Sequence, residues 1–304
     1  MRNLLLSRLM IVLVLMLECV TVSLAAGPRL VEFSVDLRNR VDLFNFGHAY
    51  MDRSLEAQGV AGYEPMGRSE ILWADLKSTF TQVSMGLEMP SGRRLTVRGG
   101  RGDFRAGEVQ DIDFGASGNI WSHTISDASA GNITKGSVTY SLAGASGLYY
   151  GISGTNWDLR LDGGRDLMPG TRNQILSGNA STYDARQIEV LLGTRFDYPI
   201  GNGRFSLQGD VNGGMGWIQS KARWNLRDLT FTQNGYSLST EARLGMGIAL
   251  GASSRLVFDA GAGGTYVPNA AGYDRLANGE IHHGGGIAIL ASHWTLGAQA
   301  DIKF

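Results

Sequence analysis

Period-2 alternation constrains this chain more than any other feature, because it recurs along most of the sequence after residue 30. Residues 236–250 place Tyr236, Leu238, Ala242, Leu244, Met246, Ile248 and Leu250 on one parity and Ser237, Glu241, Arg243 and Gly245 on the other. The stretch 205–217 sets Phe205, Leu207, Val211, Met215 and Trp217 against Ser206, Gln208, Asp210 and Asn212. Residues 31–43, 188–198 and 256–266 alternate likewise, and so do the last residues from Trp294 to Phe304. A strand turns successive side chains to opposite faces, so each segment is a strand with one apolar and one polar face. Helical patterning is nearly absent, and the fold class is all-β.

Punctuation between the strands is of two kinds. Tight Gly- or Ser-rich turns stand at 90–92 (PSG), 144–147 (GASG), 201–203 (GNG) and 251–254 (GASS), roughly 50–57 residues apart. Longer polar stretches, 106–134, 163–182, 223–234 and 267–280, fall between them. Five hairpins, hence ten strands, follow from that spacing. Short turns at one end and long loops at the other describe a closed antiparallel transmembrane β-barrel with an apolar outside and a polar inside. Closure gives every backbone polar group a partner in lipid, and here the last strand would pair with the first. A soluble β-sandwich or lipocalin-like barrel shares the alternation but not the two unequal classes of connection. Trp73, Tyr140, Tyr149, Tyr198, Trp217 and Trp294 are expected to form interfacial aromatic belts.

The first 26 residues read as a secretory signal peptide. Arg2 and Arg8 precede an apolar run from Leu9 to Leu17, and Ser23, Ala25 and Ala26 supply small residues for cleavage. One barrel domain is expected over 27–304, in the outer membrane of a Gram-negative cell. Cys19, the only cysteine, lies in that leader, so neither disulfides nor thiolate metal sites are expected in the barrel. A formal net charge of −1 gives no basis for nucleic-acid binding. Inward Arg195, Asp197, Asp210, Glu241 and Arg243 are expected to fill the lumen with ion pairs, which argues against a wide pore.

Chemistry concentrates in residues 107–127, GEVQDIDFGASGNIWSHTISD. Asp111 and Asp113 form a D-x-D whose carboxylates point the same way on an extended segment. Two close carboxylates share a proton and orient a water. Asp111, Asp113 and Ser117 have cation-ligand spacing, but Ala116 and Ser122 stand where a calcium loop needs a glycine and an acid. His123, ten residues beyond Asp113, is the candidate base among His48, His123, His282, His283 and His293. Trp121, Trp157 and Trp224 are candidate contacts for extracellular ligands.

The order of EILWADL at 70–76, RGG at 98–100 leading to DIDF, and GW at 216–217 resembles the omptins, outer-membrane endopeptidases on a ten-stranded barrel. The resemblance covers most of the chain after the leader. It implies that Asp111 and Asp113 match one catalytic aspartate pair, facing an Asp-x-His shortly after the GW strand. Here that stretch, 218–228, reads IQSKARWNLRD, with Lys221 and Arg223 near the expected positions and no histidine. A protonated Lys or Arg is no general base at neutral pH. The reading is therefore an omptin-like barrel of binding or adhesin type, with Asp111, Asp113 and His123 as the alternative catalytic set and a small passive pore as a second alternative. No cofactor is expected. The resemblance implies lipopolysaccharide as a lipid partner, beside possible extracellular peptide or protein ligands.

Overall fold

The structure is a computed structural model and describes residues 27–51, 66–141, 147–170 and 174–304. The leader lies outside these residues, as does most of the turn at 144–147. Ten strands follow one another: β1 (Arg29–Met51), β2 (Met66–Glu88), β3 (Arg94–Gly115), β4 (Ile120–Ser141), β5 (Leu148–Asp166), β6 (Ala180–Ile200), β7 (Phe205–Trp224), β8 (Leu229–Ala249), β9 (Ser254–Arg275) and β10 (Ile281–Lys303). Each pairs antiparallel with the next, and β10 pairs with β1 from Glu32↔Lys303 to Phe46↔Ile289, closing the barrel.

The register fixes the tilt. A row of partners starting at Glu88 on β2 runs through Arg94, Ser141, Tyr149, Gly193, Asn212, Glu241, Gly263, His293 and Asp42, and returns to β2 at Leu76. That offset of about 12 residues over ten strands tilts them by about 40°. Three of the four long polar stretches, all but 163–182, turn out to be mostly strand. β3 and β4 continue to Gly115 and from Ile120, so only 116–119 turn between them. The excursions beyond the membrane are extended hairpins.

Near the short turns the expected inside-out pattern holds. Val190 (64% exposed) and Leu192 (67%) point outward, with Val211, Met215, Leu244, Met246, Trp294 and Leu296. Inside, Asp210 accepts from Arg195 Nε at 2.7 Å, Arg98 Nη1 at 3.4 Å and the Tyr149 hydroxyl at 2.5 Å. Arg38 pairs with Asp36 and Asp259, Lys135 with Glu241, and Arg255 with Asp301 (2.8 Å) and Asp197 (2.5 Å). Charges removed from water must be paired in this way, since an orphaned buried charge is strongly destabilising.

Farther up, the interior becomes apolar. On β1 the inward series runs Ser34, Asp36, Arg38, Arg40, Asp42 and then Phe44, Phe46; on β6 the inward Gln187 and Glu189 give way to Tyr183 and Ala185. Outward residues reverse in step, from Ile188 to Arg186 and Asp184. The strand continues unchanged while its solvent changes from lipid to water, so the apolar face moves inside. Ile133, Leu159, Ile218, Val267 and Ile289 complete this upper core. Phe46 and Tyr183 stack with centroids 4.7 Å apart although β1 and β6 are five strands apart either way round, and Phe44 meets Tyr183 at 5.0 Å. Aromatic rings therefore close the lumen.

The two tiers correct the aromatic-belt expectation for one residue each. Trp73 is 2% exposed in the upper core and Tyr149 3% exposed against Asp210, whereas Tyr198, Trp217 and Trp294 do face outward. Trp73 is turned inward together with Leu76, three residues on, by a bulge: Asp42↔Leu76 is followed by Phe44↔Trp73, and Asp75 takes φ 52°.

Two outcomes are expected from this arrangement. Ile133→Ala, at a position with no exposed surface, lowers unfolding stability in lipid vesicles by about 2–5 kcal/mol, while outward Val190→Ala costs well under that. Equal small losses would contradict an apolar interior. In planar bilayers the purified barrel gives no large, stable unitary conductance, because the charged lower tier and the aromatic upper tier both occlude the lumen.

Candidate functional site

Above the aromatic floor the inner rim carries polar groups again. Alternation along β3 turns Val109, Asp111 and Asp113 inward and Gln110, Ile112 and Phe114 outward, so the two carboxylates share a face. Both are nearly buried, at 8% and 4% exposure. Ser69 on β2, directly opposite Asp113, donates its hydroxyl to Asp111 Oδ1 at 3.1 Å. Thr124 stands opposite Asp111 and Ser122 opposite Asp113 on β4.

His123 does not join them, which corrects its assignment as the stand-in base. A bulge between Asp113 and Phe114 sets the β4 register so that His123 lies opposite Ile112, and opposed residues in an antiparallel ladder share a face. His123 is thus on the outside, and its backbone carbonyl accepts from Leu167 N at 2.8 Å. Lys221 and Arg223 also point outward, on the parity of Trp217 and Gln219, and Arg223 pairs with Asp228 at 3.0 Å. They are not aimed at the aspartates. The inward positions of β7 and β8 are instead Ser220, Ala222 and Trp224, and Leu229, Phe231 and Gln233, all buried. Ser220 donates to Gln233 Oε1 at 3.1 Å.

An acid and an imidazole do meet on the inner face, two strands farther round. Asp274 on β9 is 4% exposed and stands opposite both Phe231 on β8 and His282 on β10. His282 Nε2 lies 2.8 Å from Glu280 Oε1. The hydrogen bond from His282, then that from Asn278, holds the Glu280 carboxyl below its usual value. With the tilt allowed for, Ser69, Asp111, Asp113, Thr124, Asp274 and His282 occupy one level of the rim. Asp274 and Ser69 were missed in the sequence. Their signal was parity alone, and inward parity above the membrane reads as outward parity within it.

The other histidines are elsewhere. His48 stands opposite Ser69 in the β1–β2 ladder. His283 is on the opposite face from His282 and its ring lies 6.3 Å from Tyr273, while His293 stands opposite Asp42 and Gly263. Among the described residues, no group of three or more acidic, histidine or cysteine side chains is placed to hold a metal.

Side chains tie the rim together. Asn179 Nδ2 donates to Gly163 O at 2.9 Å, and Asn225 links the β5–β6 and β7–β8 connections by accepting from Ala180 N (2.8 Å) and donating to Gly178 O (2.6 Å). Trp121, Trp157 and Trp224, expected as ligand contacts, are buried. Among the residues the rim exposes are four aliphatics, Ile120, Ile175, Leu226 and Ile281, one in or beside each of four connections, at 44–78% exposure.

Comparison with known proteins agrees at the level of fold. No protein-family model matches the chain, and no curated protein matches it. Among solved structures it is similar to the outer membrane protease OmpT from Escherichia coli, with a TM-score of 0.67 and 13% identity over 91% of this chain and 97% of that one. The translocator domain of the autotransporter NalP from Neisseria meningitidis is matched at a TM-score of 0.38 and 10% identity, covering 94% and 93% of the two chains. The architecture is that of the omptin-type transmembrane β-barrel, and at such identities the likeness is one of fold.

Proposed function

We propose that this chain is an outer-membrane barrel of binding type, which presents its rim to extracellular peptide or protein ligands and does not cleave peptides in the omptin manner. One observation carries the reading. The inner wall of β7 and β8, where the resemblance calls for an aspartate and a histidine, is made of Ala222, Trp224, Leu229 and Phe231. None of these side chains can take a proton from water at neutral pH. The exposed aliphatics at the four connections supply the contact surface, since exposed apolar patches mark interaction sites. Lipid and lipopolysaccharide surround the outward apolar band in this reading.

A second reading, hydrolysis, has a specific observation in its favour. Asp274 and His282 stand on the inner face at the level of Asp111 and Asp113, so an imidazole and an acid are present on a different wall. The two readings separate cleanly. Refolded protein in lipopolysaccharide-containing micelles, mixed with a quenched dibasic peptide, is expected to give background cleavage, unchanged in Asp111→Asn. Turnover by the unmodified chain that is lost in both Asp111→Asn and His282→Asn would establish the hydrolase instead. For binding, peptides selected from a display library against cells carrying the barrel are expected to bind the Ile175→Ser, Ile281→Ser double variant at least tenfold more weakly. Undiminished binding would remove the rim aliphatics from the contact surface.

A further inference from the structure

At the end of the barrel that carries the short turns, two hairpin connections leave a notch between them. Residues 201–204 join β6 to β7, and 250–253 join β8 to β9. Short turns of this kind face the periplasm in an outer-membrane barrel. Gly201 and Gly203, at φ 60° and 82°, allow the tight bend of the first turn. Ala249 N donates to Arg204 O and Lys303 N to Ser253 O, each at 2.8 Å, so both turns and the foot of β10 are held together. The space between them is about 240 Å³, and its polar lining includes Arg204, Ser206, Ser253, Ser254, Arg255 and Lys303.

Charge in the notch is not balanced. Arg255 is taken up by Asp301 at 2.8 Å and Asp197 at 2.5 Å. Glu32, opposite Lys303 in the β1–β10 ladder, is engaged by Arg94 at 2.8 Å, and Glu88 by Arg29 at 3.3 Å. Among the described residues Arg204 and Lys303 enter no ion pair, and both are exposed. Two cations from separate elements therefore line one hollow beside three serine hydroxyls. The notch also lies at the foot of the outward apolar band. Phe205, Leu250, Ile302 and Phe304 beside it are 42–68% exposed. Here the inner leaflet passes from acyl chain to headgroup.

We infer that the notch is a binding site for the phosphate of an inner-leaflet phospholipid, distinct from the lipid that surrounds the rest of the band and independent of the role of the rim. A phosphodiester presents acceptor oxygens in several directions. An ammonium, a guanidinium and hydroxyls on different elements can meet those oxygens together, with the charged donors forming the stronger bonds. Basic pockets at a membrane surface hold anionic headgroups in this way. Inorganic phosphate shares the chemistry of the headgroup, but it has no use for the apolar wall beside the notch. Phe205, Leu250, Ile302 and Phe304 offer that wall to acyl chains, which favours the lipid.

The experiment titrates the refolded full chain, in a nonionic detergent, with dihexanoyl phosphatidylglycerol or with inorganic phosphate, and reads bound ligand by native mass spectrometry. One lipid per barrel is expected to bind saturably. Arg204→Gln with Lys303→Gln is expected to weaken that binding by at least about tenfold. The charge-preserving pair Arg204→Lys, Lys303→Arg is expected to retain it, and Lys221→Gln with Arg223→Gln, at the opposite end, to leave it unchanged. Heat-modifiable migration verifies that each variant folds. No saturable lipid binding, binding unaltered in the neutral notch pair, or an equal loss in the Lys221 and Arg223 control overturns the inference. Phosphate held at the notch by a barrel that does not bind the lipid overturns the lipid assignment in favour of a free-phosphate site.

Discussion

Every backbone N–H and C=O within hydrocarbon must be satisfied by the protein itself, and the β1–β10 ladder is where this chain meets that demand. Without it, two edges would face lipid with unpaired groups costing several kcal/mol each. Closure also dictates what lies inside. Ten strands at this tilt leave a narrow lumen in which each inward charge sees others at short range, and the side chains form a connected set. Arg98, Arg195 and Tyr149 converge on Asp210, Arg38 bridges Asp36 and Asp259, and Arg255 bridges Asp197 and Asp301. Such a set is stable because all its members are present, and it doubles as a plug.

The same backbone pattern serves two solvents. Where lipid is outside, apolar residues face out; where water is outside, they face in, and the barrel becomes in effect a soluble one with Phe44, Phe46, Trp157 and Tyr183 at its centre. The candidate site therefore rests on a sealed floor. It lies on the inner wall above that floor, not at the mouth of a channel. Wall strands hydrogen-bonded along most of their length hold Asp111, Asp113, Asp274 and His282 on paired elements.

How much of this was legible follows from what alternation encodes. It fixes that neighbours in a strand face opposite ways, so strand number, turn positions and the common face of Asp111 and Asp113 could be read directly. Lys221 and Arg223 were readable too, since they share the parity of Trp217, a residue of the outward band. What alternation does not encode is the height at which lipid gives way to water. Trp73 looks like a belt residue until the apolar face is known to have moved inside by that level. Bulges hide the phase as well. The extra residue at Asp75 and the shift at Asp113/Phe114 each exchange the two faces for everything beyond them, and the second of these sends His123 outside.

The chemistry of the inner rim turns on which walls can hold a water. Attack on a peptide needs a water with an acceptor for its proton on one side and a polarised carbonyl on the other. The β3 wall offers Asp111 and Asp113. At the level of the aspartates the β7–β8 wall offers Ala222, Trp224, Leu229 and Phe231, whose single polar side-chain atom is an indole donor, with Ser220 and Gln233 farther down. In the binding reading proposed above, a water between these two walls finds no side-chain base opposite the aspartates, and that closes the omptin line of attack. In the alternative reading, hydrolysis would run between β3 and the Asp274–His282 edge, turned by about two strands. Under either proposed reading Phe231, which stands opposite Asp274, would favour apolar side chains in a bound peptide, whether or not a bond is cut.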